Sequence, residues 1–216
     1  MFAGHYAAAM AAKAARPEIP LWSLFIGAQL VDVGWSALVA GGVERFRVDG
    51  SLPGSPLDLY HMPWTHSLPA AVLWAIAGAL AFAMVLRLSR TAAAIFALTI
   101  LSHWVLDLFV HRPDLALWIG GPKVGLGLWN APVVEQAVEI GLLGVGAVLW
   151  CAQRVRAGQA AWPVAMLISA IVSVQIAAMT SPIGGSPVQM GLSAFLPYLS
   201  LAGVAALTEL RSRQRD

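Results

Sequence analysis

The sequence predicts an all-α membrane protein: a polytopic helix bundle of six spans, with a short N-terminal helix inserted beside them. Three observations lead there. The chain of 216 residues is 59% hydrophobic and only 11% charged, where ordinary soluble domains carry about 25% charged residues. Apolar windows of span length recur along it, and the mean hydropathy is +0.74. The basic residues fall between those windows, concentrated on alternate connections.

Met1 to Ala15 is Ala-rich and helix-prone but too short for an ordinary span. It does not read as a cleaved signal, because Lys13 and Arg16 follow its apolar part instead of preceding it. Arg16-Pro17 and Pro20 separate it from the next helix. Two placements are open. It runs back into the membrane as the first arm of a hairpin, or it lies on the inner surface as an amphipathic helix. The hairpin gives His5 a purpose: His5 is 12 residues before Pro17 and Asp32 is 12 residues after Pro20. On antiparallel helices both then sit about 18 Å from the turn, at one level.

Six spans follow, roughly Leu21 to Ala40, Pro69 to Leu86, Thr91 to Val110, Val133 to Cys151, Ala161 to Met179 and Gln189 to Leu207. Each is just long enough to cross a core of about 30 Å at 1.5 Å per residue. One set of connections holds Lys13, Arg16, Arg87, Arg90, Arg154, Arg156, Arg211, Arg213 and Arg215; the other holds only Arg45, Arg47, Arg112 and Lys123. The positive-inside rule places the first set, and the C-terminus, in the cytoplasm. The 42–68 loop, the 112–132 loop and the short loop near Pro182 then face outward. The whole chain, 1–216, reads as one integral membrane domain. Residues 1–150 bear the polar groups, while 157–208 contain no Asp, Glu, Lys, Arg or His and read as a two-helix scaffold.

The polar groups inside apolar segments are the candidate site, since ionisable side chains at membrane depth are costly unless partnered. All five histidines fall in the first 111 residues. His103 lies 13 residues from the inner face, about 20 Å deep, with Asp107 one turn farther out. Glu139 is 15 residues before Arg154, about 22 Å from the same face, and His66 precedes the second span. His5, Asp32, His66, His103, Asp107 and Glu139 therefore collect in the outer half of the membrane. In S-H-W-V-L-D-L-F-V-H-R-P-D, residues 102–114, His103 and Asp107 are i,i+4 on one helix face, a bidentate clamp for a divalent ion or a structural pair. His111 is four residues on, drifted about 80° around the helix from His103. In H-M-P-W-T-H-S, residues 61–67, His61 and His66 flank a Pro-Trp turn, and Thr65 or Ser67 can cap the next helix. A bound divalent metal is the simplest partner for this set, most plausibly zinc given the imidazoles.

Taken in order, the opening M-F-A-G-H-Y, the acid of Q-L-V-D-V, the H-x4-H-S segment and the S-H-W-V-L-D helix resemble bacterial membrane-bound metal-dependent hydrolases of the LexA-binding, inner-membrane-associated group. Their His and Asp pattern is in turn reminiscent of the α-helical zinc-dependent phospholipase C fold. The resemblance covers about residues 1–150. It implies residence in the bacterial inner membrane and a polar core of His5, Asp32, His61, His66, His103 and Asp107. The stretch 120–130, G-G-P-K-V-G-L-G-L-W-N, is similar to a segment in one branch of the group. The chain departs from the pattern at Met62 and Pro63, where relatives carry Arg and Gly, and at Asp32, single where many have an Asp pair.

The leading expectation is therefore a membrane-embedded hydrolase acting on a lipid or lipid-linked ester or phosphoester near the outer leaflet. His5, Asp32, His66, His103 and Asp107 are the expected metal ligands, and Glu139 or His61 the general base or an orienting partner. Lys123, Asn130, Ser67 and His111 are expected toward the substrate; Lys123 alternatively snorkels at the interface. The alternatives are a metal or proton transporter using the same groups and a non-enzymatic membrane scaffold. The lipid bilayer is the expected partner. No nucleic-acid partner is expected at a net charge of +2. A lone cysteine, Cys151, leaves no internal disulfide or cysteine zinc cluster, and G-x-S-x-G, H-E-x-x-H and P-loop motifs are missing.

Cysteines introduced at Gly50 and Pro122 should react with an impermeant label from the outer side of intact cells. Labelling only after permeabilisation would invert the orientation.

Overall fold

The computed structural model describes residues 1–181 and 184–213, without the side chain of Arg213. The loop position Pro182 and the basic residue Arg215 lie outside the described residues. The helices are α1 (His5–Ala15), α2 (Leu21–Ala28), α3 (Leu30–Ala40), α4 (Leu68–Leu86), α5 (Arg90–Val110), α6 (Pro132–Arg156), α7 (Trp162–Thr180) and α8 (Pro187–Arg213). Helices α4 to α8 are each long and apolar enough to cross a membrane, and α2 with α3 makes a sixth where the bent pair is counted as one span. Their outward faces are apolar, with side chains such as Leu73, Leu80, Met84 and Val85 more than half exposed. So broad an apolar surface suits hydrocarbon rather than water.

Local chemistry sets the helix ends. Ser67 accepts the Ala70 N–H and Pro69 occupies the first turn, which starts α4; Ser89 accepts the Ala92 N–H and starts α5. Proline also opens α6 and α7. The first span departs from a single helix: it breaks at Gln29 and bends by 55°. Gln29 leaves helical geometry (φ −108°, ψ 9°) and its side chain turns to donate to the Phe2 carbonyl.

Helix α1 is an inserted arm and not a surface helix. His5, Tyr6, Ala9 and Met10 are all buried, in one core with Leu24 and Phe25 of α2, Phe96 and Ile100 of α5, and Leu143 and Ala147 of α6. It approaches α6 closely because position 146 is glycine. A Cβ there would stand 2.7 Å from both the Cα and the carbonyl oxygen of Ala7. Each end of the arm is tied by a carboxylate. Glu139 of α6 accepts the N–H groups of Phe2 and Gly4 at 3.1–3.2 Å. At the opposite end Lys13 Nζ donates to the carbonyls of Pro17 and Ile19 and to Glu209 Oε1 (2.6 Å), while Glu209 Oε2 accepts the Leu21 N–H.

Two of the connections expected to face outward, 42–68 and 112–132, lie at the same end of the bundle, and each contains a small β-hairpin that the all-α reading did not include. In the first, β1 (Arg45–Val48) pairs antiparallel with β2 (Leu57–His61); in the second, β3 (Leu115–Ala116) pairs with β4 (Lys123–Val124). The turn of the first is set by Ser51, whose hydroxyl and amide bond Asp49 and hold its carboxyl below the usual carboxylate range. Arg112 joins the loops, donating to the carbonyls of Pro53 and Ser55 and to Asn130 Oδ1. A small second core of Trp35, Val39, Leu59, Met62, Ala71, Trp104 and Leu115 lies beneath them.

Gly146→Leu should destabilise the protein by about 1–3 kcal/mol, since the α1 backbone must move to admit it. Gly141→Leu, on the same helix with open space at its Cβ, should be near neutral. Equal denaturation midpoints in detergent for the two variants would refute close docking of α1.

Candidate metal centre

The break at Gln29 and the i,i+4 pair on α5 build the centre together. The last carbonyls of a helix have no partner within it, and Ala28 ends α2. Its carbonyl oxygen accepts the Nδ1–H of His103 at 2.9 Å. A carbonyl can only accept, so Nδ1 carries the proton, and in the neutral ring Nε2 carries a bare lone pair. Nε2 points to the interior, 3.4 Å from Asp32 Oδ1 and 3.2 Å from Asp107 Oδ2.

His66 is fixed in the same sense by a longer chain. Glu44, buried in the first loop, accepts the N–H groups of Trp64 and Thr65 and the Thr65 hydroxyl, the last at 2.7 Å. The hydroxyl proton is thereby committed, so Thr65 Oγ1 accepts the proton on His66 Nδ1 at 2.8 Å. His66 Nε2 is left 3.4 Å from Asp32 Oδ1 and 3.6 Å from Asp107 Oδ2. Trp104 Nε1 donates to the His66 carbonyl and pins the turn. A third imidazole repeats the arrangement: His111 Nδ1 meets Asp114 Oδ1 at 2.9 Å and its Nε2 lies 3.6 Å from Asp107 Oδ1.

These separations decide between two accounts of the cluster. A direct charge-assisted N–H···O bond is about 2.7–2.9 Å long, whereas the four contacts of His66 and His103 Nε2 with Asp32 and Asp107 are 3.2–3.6 Å. Among the described residues, fully buried His103 Nε2 makes no hydrogen bond of good geometry. In a tetrahedral zinc site with bonds of about 2.0–2.2 Å, neighbouring donor atoms stand about 3.3–3.6 Å apart. The four separations between the imidazole nitrogens His66 Nε2 and His103 Nε2 and the carboxylate oxygens Asp32 Oδ1 and Asp107 Oδ2 are of that order, and two trios, Asp32–His66–His103 and His5–His103–Asp107, offer ligand atoms all within 4.8 Å of one another. The Nδ1 bonds to a carbonyl, a hydroxyl and a carboxylate are the outer partners that orient metal-bound histidines.

The structure brings His5, Asp32, His66, His103 and Asp107 together, as expected from the sequence. The His5 ring stacks on His103 at 3.8 Å, and His103 in turn reaches Asp32, so one imidazole links the two arms of the N-terminal hairpin. His5 Nε2 is 3.2 Å from Asp107 Oδ1, as is the Met1 amine.

Other expectations are corrected. His61 is exposed at the end of β2, opposite Arg45, and is not brought to the cluster. Glu139 accepts the N–H groups of Phe2 and Gly4 through both its oxygens and so ties down the start of the chain. Ser67 is taken up in capping α4 and in donating to the Pro63 carbonyl. Lys123 donates to the Tyr60 carbonyl and Asn130 accepts from Arg112, so both staple loops. His111 belongs to the cluster itself, because α5 ends at Val110 and the extended backbone of His111 turns its ring back inward.

Sequence reasoning missed Glu44, Asp114 and Tyr198. Tyr198 stands in the part read as scaffold, yet its hydroxyl donates to Asp32 Oδ2 at 3.1 Å. Glu44, an acid one residue before a basic strand, looked like loop charge; its burial is the signal, and it is visible only in three dimensions. Comparison of the chain with models of known families, with curated proteins and with solved structures gives no match.

Thr65→Val removes the acceptor that sets the His66 tautomer and should weaken zinc binding about 10–100-fold. Ser67→Ala should leave the affinity unchanged and cost about 1 kcal/mol of stability through the lost cap. Competition with a chromophoric chelator separates them; an unaltered affinity in Thr65→Val would show that the tautomer relay is dispensable.

Proposed function

We propose that the protein is a membrane-embedded, metal-dependent hydrolase of a lipid or lipid-linked ester or phosphoester, with its site toward the outer side of the inner membrane. The carrying observation is that Asp32, His66 and His103 offer ligand atoms all within 4.8 Å of one another, with Asp107 Oδ2 3.2–3.6 Å from both imidazoles. Zinc is the metal that best suits such donors. When bound it would supply a water acidified toward neutrality and an electrophile for the ester oxygen.

The chain's own residues divide the remaining work. His66 and His103 are held in one tautomer by groups outside the cluster, so their lone pairs are aimed before any ligand arrives. Asp107 is closed in, with its side chain 2% exposed, whereas that of Asp32 is 18% exposed. A substrate reaches the cluster along Asp32, where Tyr198 holds a hydroxyl proton against the carboxylate. In hydrolysis the water oxygen bonds to the acyl carbon or phosphorus, the ester bond breaks, and the departing oxygen takes up a proton; Tyr198 is the proton-bearing side chain at that edge.

A transport role would need polar groups continuing through the membrane. Between the cluster and the Lys13–Glu209 pair the interior is filled by Tyr6, Met10, Leu24 and Phe25, each no more than 1% exposed. That packing argues against a pathway.

Purified protein should retain stoichiometric zinc and cleave a fluorogenic lipid phosphoester or ester in vesicles; His103→Ala should lose at least nine-tenths of both. Metal content unchanged by the substitution would refute the site, and retained zinc without cleavage of either substrate class would refute the activity.

A further inference from the structure

Helix α1 has two sides. His5, Tyr6, Ala9, Met10, Ala12 and Lys13 face inward and are buried, while Ala7, Ala8, Ala11, Ala14 and Ala15 form the side turned away from the core. Every position on that second side is alanine, whereas α4 meets its surroundings with large side chains such as Leu73, Leu80 and Met84. The short side chains leave a trough of about 420 Å³ between α5 and α6, with Ala7, Ala8 and Ala11 as its floor. Leu98 and Val105 stand on one wall, Leu142 and Leu149 on the other. Ser102 is the one polar side chain among the lining residues, and its hydroxyl is taken up by the Thr99 carbonyl.

A second hollow continues the first toward the end of α6. It shares Ala11 and Leu149, passes Ala14 and Ala15, and ends at Gln153 and Arg156. We propose that the continuous trough is a lipid-binding site, which takes one acyl chain of an anionic phospholipid with the lipid phosphate at Arg156 and Gln153. The site lies on the opposite side of α1 from the metal centre and stands whether or not that centre holds a metal.

Length, width and charge select this occupant. Leu142 is 14 residues before Arg156, about 21 Å along the helix. One leaflet contributes about 15 Å of the hydrocarbon core, so a chain that starts beside Arg156 runs its full length inside the trough. Over the roughly 10 Å from Leu142 to Leu149, the volume leaves a cross-section of about 40 Å², half that of a helix about 10 Å across. A hydrocarbon chain fits this width and a helix of another protein does not. At the mouth Arg156 is exposed and makes no ion pair or hydrogen bond among the described residues, while its neighbour Arg154 is committed to the Ala160 carbonyl and Ser212. No acid lines either hollow. A guanidinium fork matches the oxygens of a phosphate, and a basic residue at the membrane surface favours anionic over zwitterionic lipid. Arg156 also belongs to the basic set that the sequence places in the cytoplasm, which puts the lipid in the inner leaflet.

The test is native mass spectrometry of the full-length protein in detergent, supplied with equal amounts of dioleoyl phosphatidylglycerol and dioleoyl phosphatidylcholine, which differ only in the headgroup. Wild type should retain one lipid per chain and favour phosphatidylglycerol about fivefold. Arg156→Gln should bring the two lipids to parity, and Ala11→Phe, which fills the floor, should remove the retained lipid. Equal retention of both lipids by wild type, a preference that survives Arg156→Gln, or full retention by Ala11→Phe would each overturn the site. A dimer of the chain that Ala11→Phe dissolves would give the trough to a second copy and overturn it as well. Arg156 is exposed, so its substitution decides the headgroup even where Ala11→Phe fails to fold.

Discussion

Asp107 is the charge around which the molecule is arranged. A carboxylate at the centre of a helix bundle cannot remain uncompensated, because an unpaired ion costs several kcal/mol in such surroundings. Here the partners come from several elements: the N-terminal arm brings the Met1 amine and His5, the loop before α4 brings His66, and α5 itself brings His103 and His111. Each histidine apart from His5 is locked by a bond on its far nitrogen. The interior is therefore lined with lone pairs and carboxylate oxygens and calls for a cation. Much of the unusual architecture, including the break at Gln29 and the inserted arm, can be understood as what it takes to aim these groups at one point.

The arm α1 shows how that aim is kept. Eleven residues of mostly alanine contribute little apolar area each, so burial alone anchors the helix weakly. Its two ends carry the positional information instead. Glu139 takes the N–H groups ahead of the first turn, and Lys13 closes the other end on Glu209 and the carbonyls of the connecting turn. Between them Gly146 lets the backbones approach. An acid that looks catalytic in the sequence is thus a mooring, and a basic residue that looks like a topological marker is its counterpart.

This explains which features were legible in the sequence and which were not. The spans are legible because 18 or more apolar residues leave few alternatives. The hairpin of α1 and α2 is legible from Pro17, Pro20 and the equal offsets of His5 and Asp32. The break at Gln29 is not, since the sequence I-G-A-Q-L-V carries no proline and reads as continuous helix. Nor are the loop hairpins, whose strands are two to five residues long and owe their register to Arg112, Lys123 and the core under them. His111 was placed at the margin by extending the helical period one residue too far. Once α5 stops at Val110, the angular drift computed from that period no longer applies.

The same geometry bears on how the centre communicates with its surroundings. Of the cluster, only Asp32 retains appreciable exposure; His5, His66, His103, Asp107 and His111 are each at most 4% exposed at the side chain. Exchange of any ligand therefore takes place along one carboxylate, and that carboxylate is shared between His66 and His103 on Oδ1 and Tyr198 on Oδ2. Tyr198 follows Pro197, which has no N–H to continue the α8 ladder at this level. Helix α8 thus completes the site on its accessible side through the Tyr198 hydroxyl, while α1, α3, α5 and the loop before α4 supply the imidazoles and carboxylates.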